Sequence, residues 1–165
     1  MLLDRLRAST VDVAILALPI RGHEFDTFAL LTERLFAALP RKHALAGRRS
    51  LALKDLRKEP FLLLRDGHCF RDTAVAACDR ARLSPQVIFE SGQFSSILSM
   101  VGTGMGVSIV PEMAIEKDAR CRYVRIADDE ATRTVGATVL RGRSLNRLHR
   151  AFLAHLQPAN YPPGG

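Results

Sequence analysis

Short apolar runs bounded by turn residues alternate along this chain with segments of helical periodicity, and that alternation limits the fold more than any single residue does. Pro60-Phe61-Leu62-Leu63-Leu64 reads as a buried strand running into a turn at Asp66-Gly67. Arg71 to Arg82 then reads as a helix, with Ala74, Val75, Ala77, Cys78 and Ala81 available to pack. Val87 to Glu90 is a short strand, Phe94, Ile97, Leu98 and Val101 recur at helical spacing, and Val107 to Val110 is a further strand closed by Pro111. On the N-terminal side, Leu2, Leu3 and Leu6 mark the end of an amphipathic helix and Val11 to Leu18 a buried strand. Thr27 to Leu31 and Arg34 to Leu39 read as two strand segments, and Leu51 to Leu56 as a short helical turn. Tyr123 to Ile126 and Thr134 to Leu140 are the last strands. Ser144 is placed to cap a final helix whose Leu145, Leu148, Phe152 and Leu156 share a face and which Pro158 ends. The sequence thus predicts an α/β architecture with mainly parallel strands and a disordered tail over 161–165.

With 165 residues, 47% of them hydrophobic, the chain can bury one ordinary core or two small lobes. Its apolar runs, such as Val13 to Leu18, are of strand length and far short of a membrane span. The formal charge of +7 invites a nucleic-acid reading, but the basic residues are dispersed, with the densest stretch at Arg141 to Arg150 and no recognition motif beside it. A solvated basic surface is the simpler account. Gly102-Thr103-Gly104-Met105-Gly106-Val107 looks like a nucleotide loop, yet it follows a helix and enters a strand. A dinucleotide fingerprint requires the reverse order, so these glycines read as a tight helix-to-strand turn and no cofactor is expected.

Chemistry concentrates in Asp66-Gly67-His68-Cys69-Phe70-Arg71-Asp72, followed by Cys78. Cys69 falls in or just before the first turn of a helix, where unpaired N–H groups and the helix dipole favour an anion, and where His68 or Arg71 could add to the effect. The plain alternative is that Cys69 and Cys78 are small apolar fillers. If both lie on one continuous helix, about 13 Å of axial rise separates them. Because a disulfide needs Cα atoms within roughly 7 Å, oxidation would then require the helix to break and repack. Three cysteines without a signal peptide argue against an oxidised secretory framework. No Cys-x-x-Cys or His-x-x-x-His spacing suggests a metal site, and Cys121 has no assigned role.

The stretch Ser96-Ile97-Leu98-Ser99-Met100-Val101-Gly102-Thr103-Gly104-Met105-Gly106-Val107-Ser108-Ile109-Val110-Pro111 resembles the signature of the effector-binding domain of LysR-type transcriptional regulators, and the order of elements agrees from Leu2 to the final helix. Within the family, the Asp66 to Asp72 segment with Cys78, together with Arg133-Thr134-Val135-Gly136, resembles the hydrogen-peroxide-sensing branch. The resemblance implies a periplasmic-binding-protein-like type 2 regulatory domain of two lobes. By analogy, 1–31 and 121–160 form part of lobe I, and 32–120 form lobe II with the redox cysteines. It implies Cys69 as the peroxidatic thiolate, Cys78 as the resolving thiol that closes a disulfide, and His68 and Arg133 as groups that orient the sulfur or the peroxide. It further implies a cytoplasmic, non-enzymatic regulator that assembles as a dimer or tetramer and is reset by a glutaredoxin or thioredoxin system.

DNA would be bound only through an N-terminal winged helix-turn-helix, which this sequence does not contain, nor does it contain the first strands and helices of lobe I. Thr73 stands where the peroxide-sensing branch carries a glutamine. A second reading is a LysR-type domain that binds a small organic effector between its lobes, with Thr73, Ser91, Gly92 and Gln93 as candidate binding residues and Cys69 incidental. A third, a thiol enzyme using Cys69 with His68 as base, finds no orienting acid.

Overall fold

A computed structural model describes residues 2–115 and 120–156 of the chain. The expected end of the last helix at Pro158 and the 161–165 tail lie outside the described residues. Two compact units divide the chain, one formed by 1–32 with 134–165 and the other by 33–133. The return to the first unit therefore comes at Thr134 and not at 121, because β7 (Cys121–Ile126) is hydrogen-bonded within the second unit, antiparallel to β2 (Phe25–Pro40) over Phe36–Pro40 and parallel to β3 (Ser50–Leu51).

In the first unit, α1 (Leu2–Arg7) precedes β1 (Ala14–Leu18), which pairs antiparallel with β8 (Thr132–Leu140) from Ala14↔Thr138 to Leu18↔Thr134. The two strand segments expected on either side of Thr32-Glu33 are one continuous strand, β2. Two consecutive polar residues suggest a break, but each has a partner: the Thr32 hydroxyl bonds that of Thr134 at 2.9 Å, and Glu33 is buried in an ion pair with Arg133. Leu6, Ala14 and Phe25 form one small core cluster, and Ala137, Val139 and Leu153 another.

α4 (Arg147–Leu156) corrects two expectations. Its N-terminal acceptor is Asn146, whose Oδ1 takes the His149 N–H at 3.0 Å while His149 Nδ1 takes the Asn146 N–H at 3.3 Å, a reciprocal cap two residues beyond Ser144. The buried side chain is Leu153, whereas Leu148 and Phe152, on the expected apolar face, are 76% and 49% exposed.

The second unit holds a continuous core running from Leu35 through Leu62, Phe70, Ile97 and Ile109 to Ile126 and Ala131. β4 (Pro60–Leu64) leads through α2 (Cys69–Arg80) to β5 (Gln86–Ser91), which lies parallel to it, and then to α3 (Phe94–Gly102) and β6 (Ser108–Pro111). Val107 returns parallel to Phe61, exchanging backbone bonds of 2.8 Å with Leu62 and Pro60. Gly106 permits this approach, since a Cβ there would collide with the Pro60 carbonyl. The expected helix-to-strand turn is thus built, but mainly parallel strands are not. β6 and β7 both pair antiparallel with β2, and parallel order is confined to the helix-linked crossovers and the short β3–β7 pair. Crossover helices fix direction only between the strands they bring together, β4 with β5 through α2 and β4 with Val107 through α3, and do not set that of β6 or β7 against β2.

Candidate functional site at the carboxyl ends of β4 and β5

Parallel pairing of β4 with β5 sets Leu64 beside Ser91, and Arg65 N–H donates to Ser91 O at 2.8 Å. The redox segment and the candidate effector residues Ser91, Gly92 and Gln93 therefore leave neighbouring strands at the same edge, the position at which α/β sheets gather ligands.

After β4 the chain turns through Asp66 and Gly67, whose φ of +85° suits glycine. It then starts α2 with His68 as N-cap and Cys69 as first helical residue. His68 Nδ1 accepts the Phe70 N–H at 3.3 Å. An accepting Nδ1 carries no proton, so the imidazole is neutral with its hydrogen on Nε2, free to donate. Burial, and secondarily the positive charge of Arg133, hold the His68 pKa below its ordinary value, which favours the same neutral form. His68 thus offers a hydrogen-bond donor and not a cation.

Arg71 does not supply the free positive charge expected of it. Its Nε pairs with Asp66 Oδ1, its Nη1 with Glu90 Oε1, and the same nitrogen bonds Leu64 O at 2.9 Å. Asp72 is exposed and Thr73 is half-buried in the same helix. Cys78 is fully buried on α2, and burial, with a smaller contribution from Asp79, pushes its thiol up to about 12. Cys121 is buried elsewhere, its thiol against Leu98 O at 3.1 Å.

Arg133, found through Arg133-Thr134-Val135-Gly136, joins this neighbourhood from β8. Its guanidinium lies 5.2 Å from the centroid of the Phe70 ring and pairs through Nε with Glu33, whose second oxygen accepts the Met113 N–H at 2.8 Å. Phe94, at the start of α3, meets the rings of Phe70 at 5.3 Å and His68 at 5.9 Å. Arg133 and Phe94 line a cavity of about 320 Å³ with Pro111, Met113, Ala114 and Ile115. The Ser91 hydroxyl accepts the Gln93 N–H at 3.3 Å, and the Arg65 guanidinium lies against Gly92, 3.2 Å from where a Cβ would stand.

Sequence reasoning missed Glu33, Glu90, Phe70 and Phe94. The one available signal was Glu33, a charged residue two positions before the apolar run that begins at Leu35. Among the described residues no group of three His, Cys, Asp or Glu side chains is arranged to hold a metal ion, and no helix is long and apolar enough to cross a membrane.

This fold gathers polar and aromatic groups at parallel strand ends, an arrangement suited to a binding domain. Residues 1–160 match the LysR substrate binding domain, and the chain belongs to that family. It is 31% identical over 165 residues to the hydrogen peroxide-inducible genes activator of Pectobacterium carotovorum subsp. carotovorum, covering 94% of this chain and 54% of that one. Among solved structures, the effector binding domain of QuiR in complex with shikimate superposes with a TM-score of 0.87 at 16% identity, covering 95% of this chain and 75% of that one. A reduced form of OxyR from N. meningitidis superposes at 0.82 and 22%, covering 95% and 74%. At those identities the two structures establish the fold alone. The chain spans about half the length of the curated relatives it matches. It is a LysR-type regulatory domain, and its curated relatives are named as transcriptional regulators, hydrogen peroxide-inducible genes activators among them.

Proposed function

We propose that this chain is the regulatory domain of a peroxide-responsive LysR-type transcription factor, with Cys69 as sensor and Cys78 as its resolving partner. The observation that carries this reading is the placement of Cys69 as first residue of α2, directly after a neutral capping histidine, with Cys78 buried nine residues further along the same helix. The helix terminus favours a thiolate at Cys69. That thiolate attacks one oxygen of hydrogen peroxide, the O–O bond breaks, and a sulfenic acid and hydroxide result. His68 Nε2–H donates to the peroxide or the sulfur, and Arg133 orients the group from beside Phe70. With its pKa near 12, the buried Cys78 is inert until α2 opens, so disulfide closure and conformational change are one event. Binding of DNA by the remainder of a full-length regulator, assembly as a dimer or tetramer, and resetting by a glutaredoxin or thioredoxin system belong to the same proposal.

The test is stoichiometric peroxide on the reduced protein, with cysteine mapping by mass spectrometry in wild type, Cys69→Ser and Cys78→Ala. A Cys69–Cys78 disulfide should form in wild type only, with sulfenic acid accumulating at Cys69 in Cys78→Ala. Oxidation of Cys69 no faster than that of Cys121 would sink the reading.

One observation favours a second reading. Arg65 against Gly92, two residues before the cavity-lining Phe94 in sequence, is suited to a small carboxylate such as the shikimate held by QuiR. Saturable binding of such an acid by calorimetry, unaffected by Cys69→Ser, would favour it.

A further inference from the structure

Cys69 and Cys78 occupy one unbroken helix, about 13 Å apart along its axis, so whatever ties down the first turn of α2 governs how readily the two sulfurs meet. Arg71 is in that turn. Its side chain is only 17% exposed and is held by the end of β4 (Leu64 O), the connecting turn (Asp66) and β5 (Glu90). Both strands that flank the redox segment are therefore fastened to the helix start through one guanidinium. Its carboxylate partners face water, Asp66 at 89% and Glu90 at 41% exposure, which makes the fastening separable by salt.

We propose that Arg71, Asp66 and Glu90 form an electrostatic latch that keeps the first turn of α2 closed and limits the rate at which Cys69, once oxidised, reaches Cys78. The inference rests on the redox reading above and adds a gate to it. In the gated step the Cys78 thiol attacks the sulfenic sulfur: an S–S bond forms, the S–O bond breaks, and hydroxide leaves with the thiol proton as water. Arg71 takes no part in that chemistry and is a positioning residue. Formation of the sulfenic acid precedes the gate, and hydrogen peroxide is uncharged, so neither latch removal nor salt should accelerate that first step.

The experiment compares wild type with Glu90→Gln and Arg71→Gln by three readouts. These are hydrogen exchange over residues 69–74 of the reduced protein, sulfenic acid formation trapped with dimedone in a Cys78→Ala background, and closure of the Cys69–Cys78 disulfide. Closure is driven both by peroxide and by diamide, an azo oxidant that takes two electrons and two protons directly from the two thiols. Expected are faster exchange, closure accelerated about threefold or more with either oxidant, and an unchanged rate of sulfenic acid formation. Sodium chloride should accelerate closure in wild type and have a weaker effect in Glu90→Gln. Unchanged exchange in both variants overturns the latch, as does faster exchange with closure by diamide unaltered. Closure by diamide that follows the latch, in a wild type that peroxide leaves reduced, supports the latch and overturns the peroxide reading alone.

Discussion

His68 connects the geometry of the helix start to its titration. Protonation turns Nδ1 from acceptor to donor, so a charged His68 loses the bond from Phe70 N–H that begins α2. In the unfolded chain the ring takes up its proton near pH 6.5, whereas burial and Arg133 lower that value in the folded state. Between the two values the unfolded chain binds more protons, so stability is fully present above about pH 6.5 and is lost as pH falls through the lowered value. His68→Asn, which supplies a good capping acceptor without a titrating group, should flatten this part of the pH dependence of urea unfolding between pH 5 and 8. His68→Ala should cost about 0.5–2 kcal/mol at pH 7.5. A pH slope in His68→Asn equal to that of wild type would refute the assignment. The position of Cys69 at a helix start was legible in the sequence because a turn and a helix start are local, whereas the capping role of His68 was not read. Arg133 was reached only through resemblance, and its partner Glu33 not at all, because the ion pair joins residues 100 apart in sequence.

Elements were legible as to existence more than as to orientation. Each strand and helix expected between Pro60 and Pro111 is present, since continuous apolar runs and helical spacing there reflect burial directly. α4 illustrates the limit: Leu145, Leu148, Phe152 and Leu156 define a consistent apolar face, but the core buries Leu153 beside Ala137 and Val139, takes Leu145 only in part, and leaves Leu148 and Phe152 exposed. Periodicity reports that a stripe exists, and tertiary packing selects which stripe is buried. Leu153→Ala should therefore destabilise the first unit by roughly 2–5 kcal/mol, whereas Leu148→Ala should change stability by no more than about 0.5 kcal/mol. Chemical denaturation of the two variants decides this, and equal losses would show that the expected face is the packed one. Strand direction was illegible for a related reason. Composition does not separate β6 and β7, which run antiparallel to β2, from β4 and β5, which run parallel to one another.

At the scale of the whole molecule, the two units differ in how much core each has. The second holds one continuous cluster fed by helices and strands from Leu35 to Ala131, with the Glu33–Arg133 pair buried within the same unit. Among the described residues the first holds two separate clusters of a few side chains, and β1 is the last strand at its end of the sheet, with Ile15 44% exposed. Opening free energy follows contiguous apolar burial, so the units should not open together. Backbone amides of β1 and of the β8 segment that pairs with it, 134–138, should exchange at least about tenfold faster than those of β4 at 61–63, with a shallower dependence on urea. Native-state hydrogen exchange measures both. Equal exchange free energies and equal urea slopes would mean that the chain unfolds as a single cooperative body. If the units do separate, the latch substitutions at Arg71 and Glu90 should speed exchange within the second unit and leave β1 unchanged. The redox switch would then be confined to the better-cored unit, from which the chain itself continues into the first through β2 and β8.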